Sequence, residues 1–412
     1  MKDMSVPIIE FTKKTNWETY RIGNLCDILT GFPFPGDKIK DDGTYLLMRG
    51  INITEGIVRH SDDIDRYYDG STIGLEKYFL HEGDLVIGLD GSKVGKNSAL
   101  VTAYESSSLL VQRVARLRNK DLDIIRLIQI AIKSSKFIKY IDEIKTSSAI
   151  PHISPEDIKS FRVSLPTASQ IRSLVVLYFQ SLDSLIQTTE RKIASLKQIK
   201  EASLQAMFPA EGETVPKVRF KGFEGEWELV KFSNLYKKIC EKNDLSYCAD
   251  KIISVANMYF QNIDTQQANI SNEEYMRSYN IMKLGDIAFE GNKSKNYSYG
   301  RFVENTIGDG IVSHVFTVFR PISQYDIFFW KYYINNENVM RNVLRRSTKA
   351  STMMNDLVIN DFLKETIRIP SHKEQQRIGN YFISLDKQIT IQKQRLEKLK
   401  QIKSACLDAM FV

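Results

Sequence analysis

The 412-residue chain has little cysteine and little histidine, and neither is clustered. Cys26, Cys240, Cys248 and Cys406 never form a CxxC pair, which excludes a zinc ribbon and a disulfide framework and points to a reducing compartment. His60, His81, His152, His314 and His372 form no HExxH and no other metal-ligand spacing. No apolar run approaches the ~20 residues of a membrane span, and residues 1–14 lack the apolar core of a signal peptide; a soluble, cytoplasmic protein is expected. There is no GxGxxG, and with no Pro-Pro pair there is no NPPY-type signature of an amino-methyltransferase. The stretch 88–97, GLDGSKVGKN, fails as a phosphate loop: GxxxxGK[ST] needs Gly where Asp90 stands and Ser or Thr where Asn97 stands. The pairs Asp41-Asp42 and Asp62-Asp63 sit in polar turns and read as solvated. No catalytic constellation or metal site survives, so a non-catalytic binding and scaffolding protein is expected. Lys plus Arg is 57 against 50 acids, a net charge of +7, which permits a nucleic-acid partner without requiring one.

Glycine and proline are also missing from residues 178–208, and that stretch occurs twice. Its second copy is 381–411, offset by 203 positions and also free of both. Aligned without gaps, the 31-residue windows share 16 identities, among them Tyr178/Tyr381, Phe179/Phe382, Leu182-Asp183/Leu385-Asp386, Ile186/Ile389, LKQIK at 196–200 and 399–403, and a closing Ala-Met-Phe. A period of half the chain implies a duplicated two-part unit and not a solenoid of short repeats. The residues are good helix formers, and the apolar positions Leu182, Ile186, Ile193, Leu196 and Met207 are matched by Leu385, Ile389, Leu396, Leu399 and Met410. Such spacing reads as a coiled-coil seam, with Thr189 and Gln392 in one shared polar slot that fixes register. Residues 182–207 predict a rod of roughly 40 Å, and the two copies can bury their seams on each other.

The duplication extends further. Val6-Pro7 and Trp17-Glu18 are echoed by Val215-Pro216 and Trp227-Glu228. Two bodies of about 150 residues lie between these openings and the rods. The expected organisation is a first domain over 1–166, a spacer helix over 167–212, a second domain over 213–370 and a second spacer helix over 371–412. Each body reads as strands and turns followed by a helix. Apolar or β-branched runs at 44–48, 84–89 and 109–117 have counterparts at 251–255, 286–289 and 310–319, and Gly83-Asp84 mirrors Gly285-Asp286. Helical patterns follow at 122–144 and 325–346. Trp17, Trp227 and the Phe328-Phe329-Trp330 cluster read as core. The fold class is therefore α+β: two globular domains of short strands and helices, joined by two long helices packed as an antiparallel coiled coil. Outside these anchors the bodies differ, so one scaffold carries two surfaces.

Two stretches in each body can meet a nucleic acid. The Gly- and Lys-rich turn at 88–97, with Ser92, Lys93 and Lys96, suits close backbone approach to a phosphodiester, and its counterpart at 290–297 carries Lys293, Lys295 and Tyr297, a ring that can stack or pack against sugar. A plain hairpin tip is the other reading. Farther on, Lys145, Thr146, Ser147 and Ser148 stand opposite Lys349, Ala350, Ser351 and Thr352. The helices leading in are basic, with Lys133, Lys136 and Lys139 in one and Arg341, Arg345 and Arg346 in the other. Ammonium groups, hydroxyls and free N–H groups together suit phosphates; a solvated helix face with a cap is the alternative.

At this point the chain resembles the specificity subunits of type I restriction-modification systems, in which two variable target-recognition domains alternate with two conserved helical regions. Residues 215–227, VPKVRFKGFEGEW, look like the family's domain opening, and Leu-Asp followed by LKQIK and a terminal Met-Phe look like its spacer helices. The first opening, 6–17, lacks the GFEGEW wording. The resemblance implies sequence-specific DNA binding in which each domain reads one half of a bipartite, asymmetric target while the helices set the half-site separation. A rod of roughly 40 Å is close to one B-DNA turn of ~34–36 Å. It further implies two docked methyltransferase subunits and two motor-nuclease restriction subunits. S-adenosylmethionine, ATP and magnesium would then belong to those partners and serve adenine methylation and ATP-dependent cleavage of foreign DNA. The competing expectation is a coiled-coil adaptor whose bodies bind proteins and not DNA.

Overall fold

The structure, a computed structural model, describes residues 17–145, 151–261, 273–351 and 354–411. The opening Val6-Pro7 and the candidate residues Ser147, Ser148 and Thr352 lie outside them. The chain forms two compact units, one of Met1–Glu190 with Arg395–Val412 and the other of Arg191–Gln394. Each unit is a sheet-and-helix body plus one antiparallel pair of helical segments. These segments belong to two long helices, Ser169–Ala206 and His372–Phe411, which both units share.

In the first unit, Trp17–Arg21 pairs antiparallel with Arg162–Pro166, so the body's first and last strands close it. Between them a five-stranded sheet runs in the order Asp27–Thr30, Val114–Arg118, Leu85–Gly88, Ser98–Leu100, Glu55–Gly56. Its central strand is buried on both faces: Leu85 and Ile87 join the large core, and Val86 joins a smaller one with Met48, Leu80 and Val114. The large core also takes in Phe179, Leu182, Leu399, Leu407 and Phe411, so the helix pair of this unit is packed into the body. Each such buried Leu or Phe contributes roughly 1.5–3 kcal/mol.

The second unit repeats the plan. Glu228–Lys231 pairs with Thr366–Ile369, and a four-stranded antiparallel sheet runs Tyr236–Ile239, Thr317–Pro321, Ile287–Glu290, Arg301–Glu304. Its core holds Trp227, Phe329, Trp330 and Phe362 with Met207, Phe382, Leu385 and Ile389 of the long helices. The GFEGEW opening has a clear job here. Arg219 makes two 2.7 Å bonds to Glu374, which is buried in the first turn of the second long helix, and a third to the Gly225 carbonyl.

Of the seam positions, Leu182, Ile193, Leu196, Met207, Leu385, Ile389, Leu399 and Met410 are buried, and Ile186 and Leu396 are half-buried. In the polar slot Thr189 is buried and bonds back to the Leu185 carbonyl, while Gln392 is half-buried.

Several sequence readings are corrected. The helical pattern at 122–144 is two helices, Leu122–Ala131 and Ser135–Ile144, because Ser134 breaks it and caps the second by accepting from the Phe137 N–H. The pattern at 325–346 is likewise divided into Ile327–Tyr333 and Glu337–Ser347, with Asn336 as the cap. The apolar runs at 109–117 and 310–319 are each two strands around a tight turn. Trp227, Phe329 and Trp330 are core, but Phe328 is exposed and Trp17 is half-buried against the edge of Phe411. Asp41, Asp42, Asp62 and Asp63 are exposed, as expected.

Candidate nucleic-acid interface

In the first unit, residues 88–97 form a loop that closes on itself. The Gly95 N–H donates to the Gly88 carbonyl and the Asn97 N–H to the Lys93 carbonyl, with Gly91 and Gly95 at φ 96° and 72°. Those values favour glycine, which explains the spacing that mimics a phosphate loop. The Gly91 N–H donates to the Pro151 carbonyl at 3.0 Å, so the loop is tied to the chain at Pro151. Lys96 lies 3.9 Å and Lys145 2.8 Å from one carboxylate, Asp142, and the Lys145 hydrogen bond holds that carboxyl below its ordinary range. Lys93 makes an exposed ion pair with Glu55 at 2.9 Å. Exposed pairs contribute little, so a phosphate can displace Glu55 at small cost. Ser92 is exposed on the same loop.

Lys133 departs from expectation. It sits at the break between the two helices and is not an exposed basic residue; burial, followed by the nearby Lys403 ammonium, pushes its pKa down. Lys136 and Lys139 are exposed.

The loop forms one wall of a groove of about 720 Å³ whose lining includes Arg49, Arg59, Lys93 and Arg113, with Glu55 and Asp90 as its only carboxylates among the described residues. Three of these cations, Arg49, Arg59 and Arg113, were not singled out from sequence. Arg49 donates to the Ile64 carbonyl and Arg59 to the Ile51 carbonyl, so carbonyl oxygens hold both guanidiniums at the rim. A concave, water-open surface with excess positive charge suits a phosphodiester backbone beside base edges.

The second unit uses the same frame with different side chains. The Asn355 N–H donates to the Gly291 carbonyl at 2.8 Å, again tying the Gly/Lys loop to the segment after the two short helices. A Cβ on Gly291 would stand 2.1 Å from the Asn355 carbonyl oxygen, so the close approach requires glycine. Lys293 and Lys295 are exposed on this loop. Lys349 is exposed on the hairpin Thr348–Ala350/Asn355–Leu357, and the exposed Ser351 donates its N–H to the Met354 carbonyl. Tyr297 is not a free stacking platform: its hydroxyl donates to Asn335 at 2.7 Å and the Arg301 guanidinium lies 5.0 Å from its ring centroid. Arg301 also pairs with Glu290 at 2.7 Å. Arg341 and Arg345 are exposed, while Arg346 pairs with Glu365 at 2.6 Å.

The sharpest contrast is in one turn. Between Leu109–Leu110 and Val114–Arg118 the first unit presents exposed Gln112 and Arg113; between Gly310–Val312 and Thr317–Pro321 the second presents exposed His314 and Val315. Both turns close by the same bond, Val114 N–H to Val111 carbonyl and Phe316 N–H to Ser313 carbonyl. The first turn contains no Gly, Pro, Asn, Asp or Ser and the second only Ser313, so the sequence held little signal for them. Among the described residues there is no group of three or more His, Cys, Asp or Glu placed to hold a metal ion, and no helix long and apolar enough to cross a membrane.

The family model described as the type I restriction modification DNA specificity domain matches residues 14–198 and again 224–401. The specificity subunit of the type I restriction enzyme EcoAI of Escherichia coli is 29% identical over 198 residues; the match takes in 47% of this chain and 32% of that relative, so it spans about a third of the relative's length. The S subunit of a type I restriction-modification system from M. genitalium superposes with a TM-score of 0.56 at 13% identity, over 97% of both chains. The HsdS subunit from Thermoanaerobacter tengcongensis does so with a TM-score of 0.51 at 15% identity, also over 97% of both. With two matched stretches that together take in most of its length, the chain belongs to the family of type I restriction modification DNA specificity domains and carries that domain twice.

Proposed function

We propose that this chain is the specificity subunit of a type I restriction-modification complex. Each body reads one half of a bipartite, asymmetric DNA target, and the paired helices set the half-site separation and dock methyltransferase subunits. The observation that carries this reading is a repeated scaffold with unlike reading surfaces: the turn bearing Gln112 and Arg113 in one unit bears His314 and Val315 in the other. A protein selected to bind two copies of one partner has no reason to diverge at these exposed tips while keeping the bonds beneath them. The two half-sites therefore differ.

Two methyltransferase subunits and two motor-nuclease subunits complete the assembly. S-adenosylmethionine, ATP and magnesium are bound by those partners, and this chain is the non-catalytic component. The complex works in the cytoplasm, where incoming foreign DNA is met. The adaptor alternative is not favoured by membership of a DNA specificity family; it predicts no DNA affinity that falls as salt rises, whereas phosphate contacts predict a steep fall.

The test is a genome-wide map of methylated adenines in cells expressing this chain with its methyltransferase, against cells lacking only this chain. A split, asymmetric motif that appears only with the chain is expected. Its absence from assembled complexes sinks the reading.

A further inference from the structure

The turn at 111–114 holds a residue in an unfavourable backbone conformation. Arg113 has φ 67°, in the left-handed region that a glycine adopts without strain, and it is one of four non-glycine residues there among the described residues. The turn cannot relax, because three neighbours clamp it: the Val111 N–H donates to the Met48 carbonyl, the Gln112 N–H to the Phe32 carbonyl, and the Leu89 N–H to the Arg113 carbonyl. Glycine at this position would remove the strain, so the arginine side chain is what the strain secures. Strained residues held by their surroundings cluster at ligand-contacting sites.

The side chain is 65% exposed on the groove, and its Nη1 lies 3.0 Å from Asp90 Oδ2. Asp90 is fixed in turn: its backbone bridges His152, and the next residue, Gly91, bonds Pro151. One edge of the guanidinium is thus held by a carboxylate while the rest of the fork faces the groove. Two acceptors side by side complete such a fork. In DNA these are a phosphate or the O6/N7 edge of guanine. A phosphate brought against this fork also meets the Asp90 carboxylate and is repelled, whereas the neutral guanine edge is not. Adenine presents a donor beside its N7 and leaves part of the fork facing another donor.

We propose that Arg113 reads a guanine in the half-site recognised by the first unit, with Asp90 as the residue that positions its guanidinium. This rests on the DNA-specificity reading given above and adds to it one residue, one base and one half-site. The counterpart turn carries His314 and Val315, so no matching two-pronged arginine contact to guanine is made from that turn in the second half-site.

The experiment uses the full chain assembled with its methyltransferase subunits and acting on an oligonucleotide library randomised over both half-sites. Wild type, Arg113→Gly, Arg113→Lys and Asp90→Asn are compared. Arg113→Gly deletes the fork and relieves the backbone, so it assembles as well as wild type. It is expected to lose roughly 10- to 100-fold of the preference for one G·C pair in one half-site, leaving the other half unchanged. Arg113→Lys keeps the charge without the fork and relaxes the same pair, and Asp90→Asn relaxes it less. The proposal is overturned if neither half-site of the wild-type motif contains a G·C pair, or if Arg113→Gly keeps the wild-type motif. It is also overturned if that variant weakens every position equally, the mark of a backbone contact. Loss of any split motif with wild type itself overturns the DNA-specificity reading and this inference with it; a wild-type motif unaltered in Arg113→Gly overturns this inference alone.

Discussion

The Lys200 ammonium lies 2.6 Å from the Asp386 carboxylate, and Lys403 makes the same pair with Asp183 in the other unit. These are the Leu-Asp aspartate and the last lysine of LKQIK, each paired with its opposite number from the other copy of the repeat. Tyr381 with Ser203 and Tyr178 with Cys406 follow the same rule. Antiparallel pairing of two copies brings position 183 of one against position 403 of the other, so a single substitution meets a partner that has not changed. That is a physical reason for the identities to sit where they do.

The two ion pairs are part-exposed, so each is expected to contribute under about 1 kcal/mol. Asp386 does more than Asp183, because it also accepts from the Tyr332 hydroxyl at 2.5 Å. Burial, and then Asp386, raises the pKa of that hydroxyl and keeps it a donor. Asp386→Ala is therefore expected to lower stability by about 1 kcal/mol more than Asp183→Ala, since it leaves the hydroxyl of the buried Tyr332 unsatisfied. Thermal unfolding of the two variants side by side checks this; equal losses remove the Tyr332 bond from the account.

A second pair recurs inside the bodies. Asp84 accepts from Arg118 through two bonds of 2.7 and 2.6 Å and from the His81 N–H, and Asp286 accepts from Arg320 through two of 3.0 Å and from the Lys283 N–H. Both aspartates are buried beneath a glycine at positive φ. Asp84→Ala strands a guanidinium and an N–H and is expected to cost about 3 kcal/mol, the low end for a broken buried pair because Arg118 is partly exposed. Combining it with Arg118→Met is expected to recover most of that loss. Urea unfolding of the single and double variants decides it: if the double variant is as unstable as the single, the charge left behind is not the cause.

The helices and the duplication were legible because period and identity are local, one-dimensional signals. The Gly83-Asp84/Gly285-Asp286 match was visible as a pair of dipeptides, but its meaning needed Arg118 and Arg320, both 34 residues on. Site residues divided the same way. Lys93 and Lys96 were legible as lysines on a Gly-rich turn, yet that Lys96 and Lys145 share Asp142 depends on a helix brought to the loop by tertiary packing. Arg113 was hidden within an apolar run that reads as one strand, because the turn there is imposed by clamping neighbours and not by turn-forming residues.

Charge reversal at Lys93 and Lys96 is expected to weaken binding at one half-site only. Lys93→Glu places a carboxylate beside Glu55 on the groove wall, and Lys96→Glu places one beside Asp142 on the same loop, so both variants turn the loop surface from attractive to repulsive for phosphate. The slope of log affinity against log salt should fall by about 1 for each phosphate no longer neutralised. Filter binding of DNAs carrying one half-site or the other, across a salt series, makes the measurement. Equal weakening on both DNAs removes the loop from recognition.

The pH dependence of the second unit should carry the mark of Glu304. This carboxyl is buried with the Tyr325 hydroxyl as its polar neighbour, and burial pushes its pKa well above the ordinary range. In the folded state it stays protonated at pH values where the unfolded chain, with an ordinary carboxyl near ~4.3, has released the proton. The unfolded state therefore binds fewer protons, and stability falls as pH rises through and beyond that ordinary value, by up to about 1.4 kcal/mol per pH unit. Glu304→Gln keeps the shape and removes the titration. It is expected to match wild type near pH 4 and to be clearly more stable at pH 8. Melting curves across this range that stay parallel for the two proteins exclude Glu304 as the source.

Insertion of one heptad into residues 187–197 tests the helices as a ruler. Seven residues add about 10 Å of helix, roughly three base pairs of duplex, while preserving the 3–4 spacing of the seam. Lys200–Asp386 and Lys403–Asp183 constrain where that length can go, since each unit holds its own antiparallel pair in register. With the insertion in the first helix alone, one of the two pairs must break or the two extra turns must loop out. A matching heptad at 390–400 restores both pairs. The single insertion is therefore expected to impair assembly or recognition, whereas the matched double insertion should assemble and methylate a target with the same two half-sites at a longer separation. Methylation mapping with the double variant gives the answer: an unchanged separation from an intact complex means that the helices join the two reading units without setting the distance between their half-sites.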